Sequence, residues 1–402
     1  YVFIPLAIVI LAMHIATAEK QGVPRAKIQV CPQNDVMKTY AVSDNPLFPY
    51  DAGMRLATDV STYLARNLPH PHSLAFNICV YHLGEAGANR IQQAAYSLAA
   101  TKAHVKAALK RGVDIDQIGP KLAYLGYTNH REFLLEIAKV RAMRRLHARI
   151  MKEFGAKEPR SMAFWIHNAN GGIDMTREPL ELNQARSAIS TLAMALSGSQ
   201  SIGGATFDEP LGIPSARASH IAILTRYLVA HETGVMDTID PLAGSYYIEY
   251  MTSEIEKRAA EEIKKIDDMG GMLQALKKGY VQAQITENAF KEQGRIERGE
   301  KVTIGLNMFV EHEEEERRNY YKPNPKVLAS QTAKLQRLRA TRDNEKVQSA
   351  LNKLREYDKK PEGDANNLVP HVLDAVKAYA TIGEISGVFR EVFGEYQRLV
   401  SF

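Results

Sequence analysis

The residues best suited to chemistry sit where apolar runs give way to polar ones. Ser73 to Val80 is such a run, and it closes on Tyr81-His82-Leu83-Gly84-Glu85. A histidine at that junction can give a proton near neutral pH, with Tyr81 beside it and Glu85 to orient it. Read plainly, the same His82 is a ring satisfied by backbone at a strand end. Gln33-Asn34-Asp35 follows another short run and offers groups that can hydrogen-bond a thioester or amide. Asn and Asp are equally the residues that cap a helix. Asp208-Glu209 ends the stretch from Ser201, just before Pro210 and Gly212. Two carboxylates between a strand and a helix stand where a β/α barrel keeps its reactive groups, or they cap the helix that follows. Lys121 opens a further run; it can meet a phosphate or carboxylate as a point charge, or simply snorkel at a strand edge. His167, between two apolar stretches, has the setting of a structural histidine. No His/Cys spacing matches a zinc site, so no metal ligand is expected. Walker, dinucleotide-binding and nucleophile-elbow patterns are also absent from the sequence.

The elements that must carry these residues read as repeated strand–helix units. Strands are expected over 27–30, 73–80, 120–127, 161–166 and 201–206. Helices are expected over 1–21, 52–68, 89–111, 131–154 and 182–196, and from Ser215 to near Gly234. After Tyr250 the chain turns helical and charged, with a break at Gly270-Gly271. A short strand at 301–305 and a solvated charge run at 312–318 follow. A linker begins at 322–325, then a basic helix at 334–358, a second linker at 359–367, and a helix pair over 368–393 broken near Gly383. Five strand-then-helix units indicate an α/β protein, either a β/α barrel or a doubly wound sheet. Both architectures place ligands at the C-terminal edge of the strands, where the polar residues cluster here. Five units are too few to close an eight-stranded barrel.

Composition narrows the class. A net charge of +5 over 402 residues is no nucleic-acid footprint. The two cysteines, Cys31 and Cys79, form no disulfide or metal pattern, which points to a reducing compartment such as the cytoplasm. The apolar start, 1–12, lacks a basic leader and a cleavage site and is too short to span a bilayer, so it reads as a buried helix of a chain that lacks its start. No membrane partner is expected.

Longer stretches resemble one known family. IPLAIVILAMHIATAEKQGVP, PQNDVMK, YHLGEAGA, FLLEIAKVRAMRRLHA, FDEPLGIPSARASHIA, ETGVMDTIDPLAGSYYIE, GGMLQAL, GEKVTIGLN and ATIGEISGVFREVFGEY occur in the family's order. They are similar to the large, catalytic subunit of adenosylcobalamin-dependent acyl-CoA mutases, the methylmalonyl-CoA mutase family. The resemblance implies a TIM-type (β/α)8 barrel with CoA threaded along its axis. This chain would hold strands four to eight over 1–252, a barrel-covering helical segment over 253–321, and over 322–402 the helical linker that precedes the cobalamin domain. The family's DxHxxG cobalamin signature does not occur here, so a separate cobalamin-binding small subunit in a hetero-oligomer or dimer is implied. An arc without its first three strands has two open edges, so further sequence or a partner chain is implied as well.

The family's roles carry over residue by residue. His82 falls on the histidine that hydrogen-bonds the thioester carbonyl, flanked by Tyr81 and Glu85 as in the family. Gln33 falls on a glutamine that contacts acyl-CoA. Lys121 falls on an arginine that helps hold CoA. Glu209 falls on the glutamate that binds the adenosyl ribose, and Glu85 is placed with it on the cofactor side. Cys31 and Ala123 replace a threonine and a serine near CoA, and His70 stands for a lysine. Ala169 and Ala205 replace a glutamine and an asparagine that contact the adenosyl group. Gly84 replaces a larger side chain. Ser43 falls where methylmalonyl-CoA mutase has an arginine that pairs with the substrate carboxylate, a contact serine cannot make. The resemblance therefore implies a mutase for an acyl-CoA without a free acyl carboxylate, isobutyryl- or 2-hydroxyisobutyryl-like. The competing reading is a degenerate barrel that binds CoA or acts as a scaffold. A metal-dependent lyase using His167 and Asp208 has no ligand spacing behind it.

Overall fold

The computed structural model describes residues 6–43, 46–310 and 324–397. The helices in chain order are α1 (Ala7–Lys20), α2 (Val36–Val42), α3 (Tyr50–Asn67), α4 (Tyr81–Glu85), α5 (Arg90–Lys110), α6 (Ile115–Ile118), α7 (Phe133–Glu153) and α8 (Leu182–Leu196). They continue with α9 (Ala216–Glu232), α10 (Tyr246–Asp268), α11 (Met272–Lys277), α12 (Tyr280–Glu297), α13 (Lys326–Thr341), α14 (Asn344–Asp358), α15 (Val369–Lys377) and α16 (Ile382–Phe393). The strands are β1 (Phe76–Cys79), β2 (Leu122–Tyr127), β3 (Ile166–Asn170) and β4 (Ser201–Gly204). The charge run at 312–318, the start of the linker at 322 and the first five residues of the expected N-terminal helix lie outside the described residues.

Each parallel strand pair needs a crossover, and α5, α7 and α8 supply them. All four strands are parallel, in the order β1-β2-β3-β4. The order advances without reversal, as it does round a β/α barrel, and shows none of the switch-point reversal of a doubly wound sheet.

Register fixes which side chains share a face, because side chains alternate along a strand. Asn77 pairs with Ala123, and Cys79 with Leu125. Leu125 pairs with His167 and Tyr127 with Ala169; those two pair in turn with Ser201 and Gly203. This face is largely small or polar. The opposite face carries Phe76, Ile78, Tyr124 and Ile166, all buried beneath the helices. Burial of each such apolar side chain contributes about 1.5–3 kcal/mol. The Tyr124 hydroxyl is satisfied there by Thr101 of α5 at 2.7 Å and His147 of α7 at 2.9 Å.

Five expectations are corrected. The strand expected at 27–30 is extended but forms no ladder. Leu74 N donates to Val30 O at 2.9 Å, after which Pro32 has no N–H to offer and the Asn34 side chain donates from Nδ2 to Ala75 O at 2.8 Å instead. The strand expected at 161–166 begins at Ile166 and runs through the polar residues His167 to Asn170. Phe164 packs on Tyr124, with ring centroids 4.5 Å apart, and pairing starts only at the Trp165 carbonyl. No strand forms at 301–305, where there is one isolated bridge, Ile304 to Met308. The single helix expected at 334–358 is two, because Asp343 caps α14 through Lys346 N. The pair over 368–393 also breaks earlier than Gly383: Tyr379 has φ 65°, and Thr381 with Glu384 forms a capping box that starts α16.

The domain division expected after Thr252 falls inside α10, whose start is set at Ser245. α15 packs on α1, and one hydrophobic cluster runs from α1 and α3 through the sheet to α14–α16. Arg55 of α3 ties the two regions by donating to the carbonyls of Asp358 at 2.7 Å, Lys360 at 3.0 Å and Tyr357 at 3.1 Å. No helix among the described residues is long and apolar enough to cross a membrane.

Candidate functional site

β1 runs straight into α4, and the turn between them brings Cys79 and His82 together. Cys79 Sγ lies 2.9 Å from His82 Nδ1. Gln33, 6% exposed, donates from Nε2 to the same sulfur at 3.8 Å. Asp35 holds the segment in place. It caps α2 through Lys38 N at 3.3 Å, accepts from Cys79 N at 2.9 Å and meets His104 Nε2 at 3.3 Å. Asn34 and Asp35 are thus structural, as their capping chemistry allowed, while Gln33 faces the sulfur beside His82. Burial, reinforced by Lys38 and opposed by Asp35, pushes His82 down to about 4. Its imidazole is therefore neutral at neutral pH. A neutral imidazole can offer a hydrogen bond through its one N–H.

A second cluster lies just beyond. Burial raises the Glu85 carboxyl to about 7, with Asp174 and Glu209 adding to the effect. Glu209 is raised too, chiefly by burial. The chain at Gly171-Gly172 passes between them. A Cβ on Gly172 would stand 3.2 Å from Glu209 Cγ and 3.7 Å from Glu85 Oε2. On Gly171 it would stand 2.0 Å from Glu85 Oε1. Glu85 Oε1 is buried without a hydrogen-bond partner. Tyr81 stands edge-on to His82 and to Tyr127, with ring centroids at 5.5 Å and 6.0 Å. Tyr127 bonds Asp174 through its hydroxyl, and its ring closes over Gly84, where a Cβ would come within 2.4 Å. The small residue at 84 is what admits that ring. Asp208 behaves differently from its neighbour. It accepts from Thr206 Oγ1 at 2.6 Å and from Ser215 N at 2.9 Å, so it braces the turn into α9, which Ser215 caps, while Glu209 faces the cluster.

Other candidates sit at the opposite end of the strands. Lys121 closes a turn just before β2 and donates to Leu68 O at 2.9 Å. Burial and then Arg160 lower its ammonium. His70 lies two residues past Leu68 and accepts from His72 N at 3.3 Å. Arg160 donates to Pro71 O at 3.3 Å. The span of β2 puts about 20 Å between this cationic edge and the His82 edge. Between them, Ala123 is fully buried beside Asn77, which donates to Cys31 Sγ at 3.6 Å. His167 pairs with Ser201 Oγ at 2.7 Å. Ser43 closes α2 and lines a cavity of about 710 Å³ with Tyr40, Gln282 and Phe290. Ala86, one turn past His82, borders the same cavity.

The methylmalonyl-CoA mutase family model matches residues 5–395. The chain belongs to the methylmalonyl-CoA mutase family. It is 35% identical over 399 residues to the 2-hydroxyisobutanoyl-CoA mutase large subunit of Aquincola tertiaricarbonis, covering 99% of this chain and 70% of that one. Over 388 residues it is 36% identical to the methylmalonyl-CoA mutase of Cereibacter sphaeroides, covering 96% and 54%. The Escherichia coli methylmalonyl-CoA mutase is 35% identical over 387 residues, covering 96% and 53%. The chain thus spans about half the length of these methylmalonyl-CoA mutases. The mutase family's members are isomerases, of the intramolecular transferase kind.

The residues at the strand ends fit part of an adenosyl cofactor. A ribose presents hydroxyl donors, and Glu85 and Glu209 present carboxylate acceptors, one oxygen of which has no partner. Ala169 and Ala205, each 5% exposed, offer no polar side-chain atom to a base. Among the described residues no group of three or more His, Cys, Asp or Glu side chains could hold a metal ion.

Sequence reasoning missed Cys79, Tyr127 and Asp174. The signal for Cys79 was its place in line with Asn77 on one strand face, three residues before His82. Gly84 and Gly171-Gly172 marked the room that Tyr127 and the carboxylates need.

Proposed function

We propose that this chain is the catalytic barrel portion of an adenosylcobalamin-dependent acyl-CoA mutase. The observation that carries the reading is the two-ended arrangement: cations at one edge of the strands, His82 and Gln33 at the other, and a small, polar face between. An acyl-CoA is long enough to use both edges at once. Lys121, with His70 beside it, meets the phosphate-bearing end. Ala123 and Cys31 leave room for the arm along the sheet face. Gln33 and His82 hydrogen-bond the acyl thioester, and Tyr81 closes over it. Glu85 and Glu209 accept from the ribose hydroxyls of the cofactor, and Tyr127 and Tyr81 keep water away. Adenosylcobalamin, when bound, supplies the radical chemistry of the carbon-skeleton rearrangement.

In this reading the four strands and the extended segment before β1 are strands four to eight of the family's (β/α)8 barrel. The cofactor is bound mainly by a separate cobalamin-binding small subunit, in a hetero-oligomer. With no arginine at Ser43, the substrate is an acyl-CoA without a free acyl carboxylate, such as an isobutyryl or 2-hydroxyisobutyryl ester. The 2-hydroxyisobutanoyl-CoA mutase name of one relative supports that class. Free thiols at Cys31 and Cys79 suit the cytoplasm. Ala169 and Ala205 favour a second reading, a degenerate barrel that keeps CoA but not the cofactor.

Lys121→Ala tests the two-ended arrangement. Loss of one charged contact is expected to weaken acyl-CoA binding about tenfold. Calorimetric titration with isobutyryl-CoA measures it, and unchanged affinity would remove Lys121 from the CoA site.

A further inference from the structure

The reading of His82 as the thioester donor leaves open which of its nitrogens carries the proton. A neutral imidazole has one N–H, and the partner of one nitrogen decides where it sits. His82 Nδ1 has such a partner in Cys79, at 2.9 Å, while Nε2 has no hydrogen-bond partner among the described residues. The direction of the contact follows from what else surrounds the sulfur. Gln33 Nε2 points an N–H at it from 3.8 Å. That contact makes the sulfur an acceptor towards Gln33. The nearest carboxylate, Asp35, is engaged by Cys79 N, Lys38 N and His104. Of the two side-chain atoms in contact with the sulfur, Gln33 Nε2 and His82 Nδ1, only Nδ1 has a lone pair to accept the thiol hydrogen.

We propose that Cys79 is a positioning residue whose thiol donates to His82 Nδ1 and so holds the imidazole proton on Nε2, the nitrogen presented to the substrate oxygen. The inference rests on the role given to His82 above. Burial pushes the Cys79 thiol up to about 12 and His82 down to about 4. Both partners therefore stay neutral across the neutral range, and the arrangement does not switch with small changes of pH. Serine at 79 keeps a donor in the same place. Alanine removes it, and valine removes it while filling the volume.

The tautomer is read directly from long-range 1H–15N spectra of protein labelled at histidine. The wild type and Cys79→Ser are expected to show His82 protonated on Nε2. Cys79→Ala and Cys79→Val are expected to show a mixture of both forms. In turnover, Cys79→Val should lose about tenfold in kcat with KM nearly unchanged, and Cys79→Ser should recover most of it. Wild-type His82 protonated on Nδ1, or an unaltered tautomer in the Ala and Val variants, would overturn the proposal. A tautomer that shifts as expected while kcat stays constant would uphold the Cys79 contact and instead remove His82 from the reaction, so the two failures are distinct.

Discussion

Replacing His82 with alanine is expected to lower kcat by about 10²–10³-fold, the usual effect of removing one preorganised donor from a reacting carbonyl. The imidazole sits at the C-terminal edge of β1, half-buried, with its ring fixed by Cys79 and its charge suppressed by burial. A neutral donor held this way needs no reorganisation when charge builds on the thioester oxygen. In the proposed reading CoA is held from the other edge, by Lys121 and the groups around it, so KM and the affinity for a CoA ester should change little. Steady-state kinetics beside calorimetric binding separates the two. A His82→Ala protein with wild-type kcat would contradict the role, and one that no longer binds CoA would mean His82 acts in binding.

Arg111→Ala is expected to cost about 3–5 kcal/mol of stability at neutral pH, because it strands a buried carboxylate. Arg111 Nη1 donates to Asp59 Oδ1 at 2.7 Å, and Asp59 is 0% exposed. The same carboxylate accepts from Leu368 N at 3.2 Å, and the Asp59 carbonyl accepts from Asn367 at 2.9 Å. One residue thus joins α3, α5 and the start of α15. Burial already raises Asp59 to about 6, against the pull of Arg111. Without the guanidinium that value rises further. A carboxyl raised on folding favours the folded state below its unfolded value, and that contribution is lost as pH climbs through the folded one. The variant should therefore regain stability as pH falls from neutral towards 5. Urea unfolding at several pH values measures this, and a deficit that does not shrink on acidification would contradict the assignment to Asp59.

How much of this was legible in the sequence depended on whether apolar residues marked the element. α5 was readable because its start carries a cap, Asn89 and Gln92 forming the capping box, and α8 because of its apolar spacing alone, its start having no side-chain cap. β3 was misplaced because its polar residues, His167 to Asn170, are paired on both sides by backbone, while the apolar residues that suggested a strand, up to Trp165, lie before it. The segment after Lys27 reads as a strand by composition, yet Pro32 withholds the donor that a ladder needs. At the site, His82, Glu85 and Glu209 stood out as polar residues at strand ends. Cys79 did not, because a buried cysteine inside a strand looks like any small apolar residue. Residue type alone did not separate Asp208 from Glu209; the family resemblance singled out Glu209, and the fold shows that Asp208 bonds Ser215 while Glu209 faces Gly172.

Isomer formation from an acyl-CoA tests the proposed rearrangement most directly. The protein would be combined with a cobalamin-binding small subunit and adenosylcobalamin. It would then be given isobutyryl-, 2-hydroxyisobutyryl- and methylmalonyl-CoA in turn, with products resolved by chromatography and mass. Isomerisation of a neutral acyl-CoA is expected, and none of methylmalonyl-CoA. Turnover of methylmalonyl-CoA would contradict the part given to Ser43. Binding of all three esters with no isomer from any would contradict the mutase reading itself and leave the degenerate, CoA-binding barrel in its place.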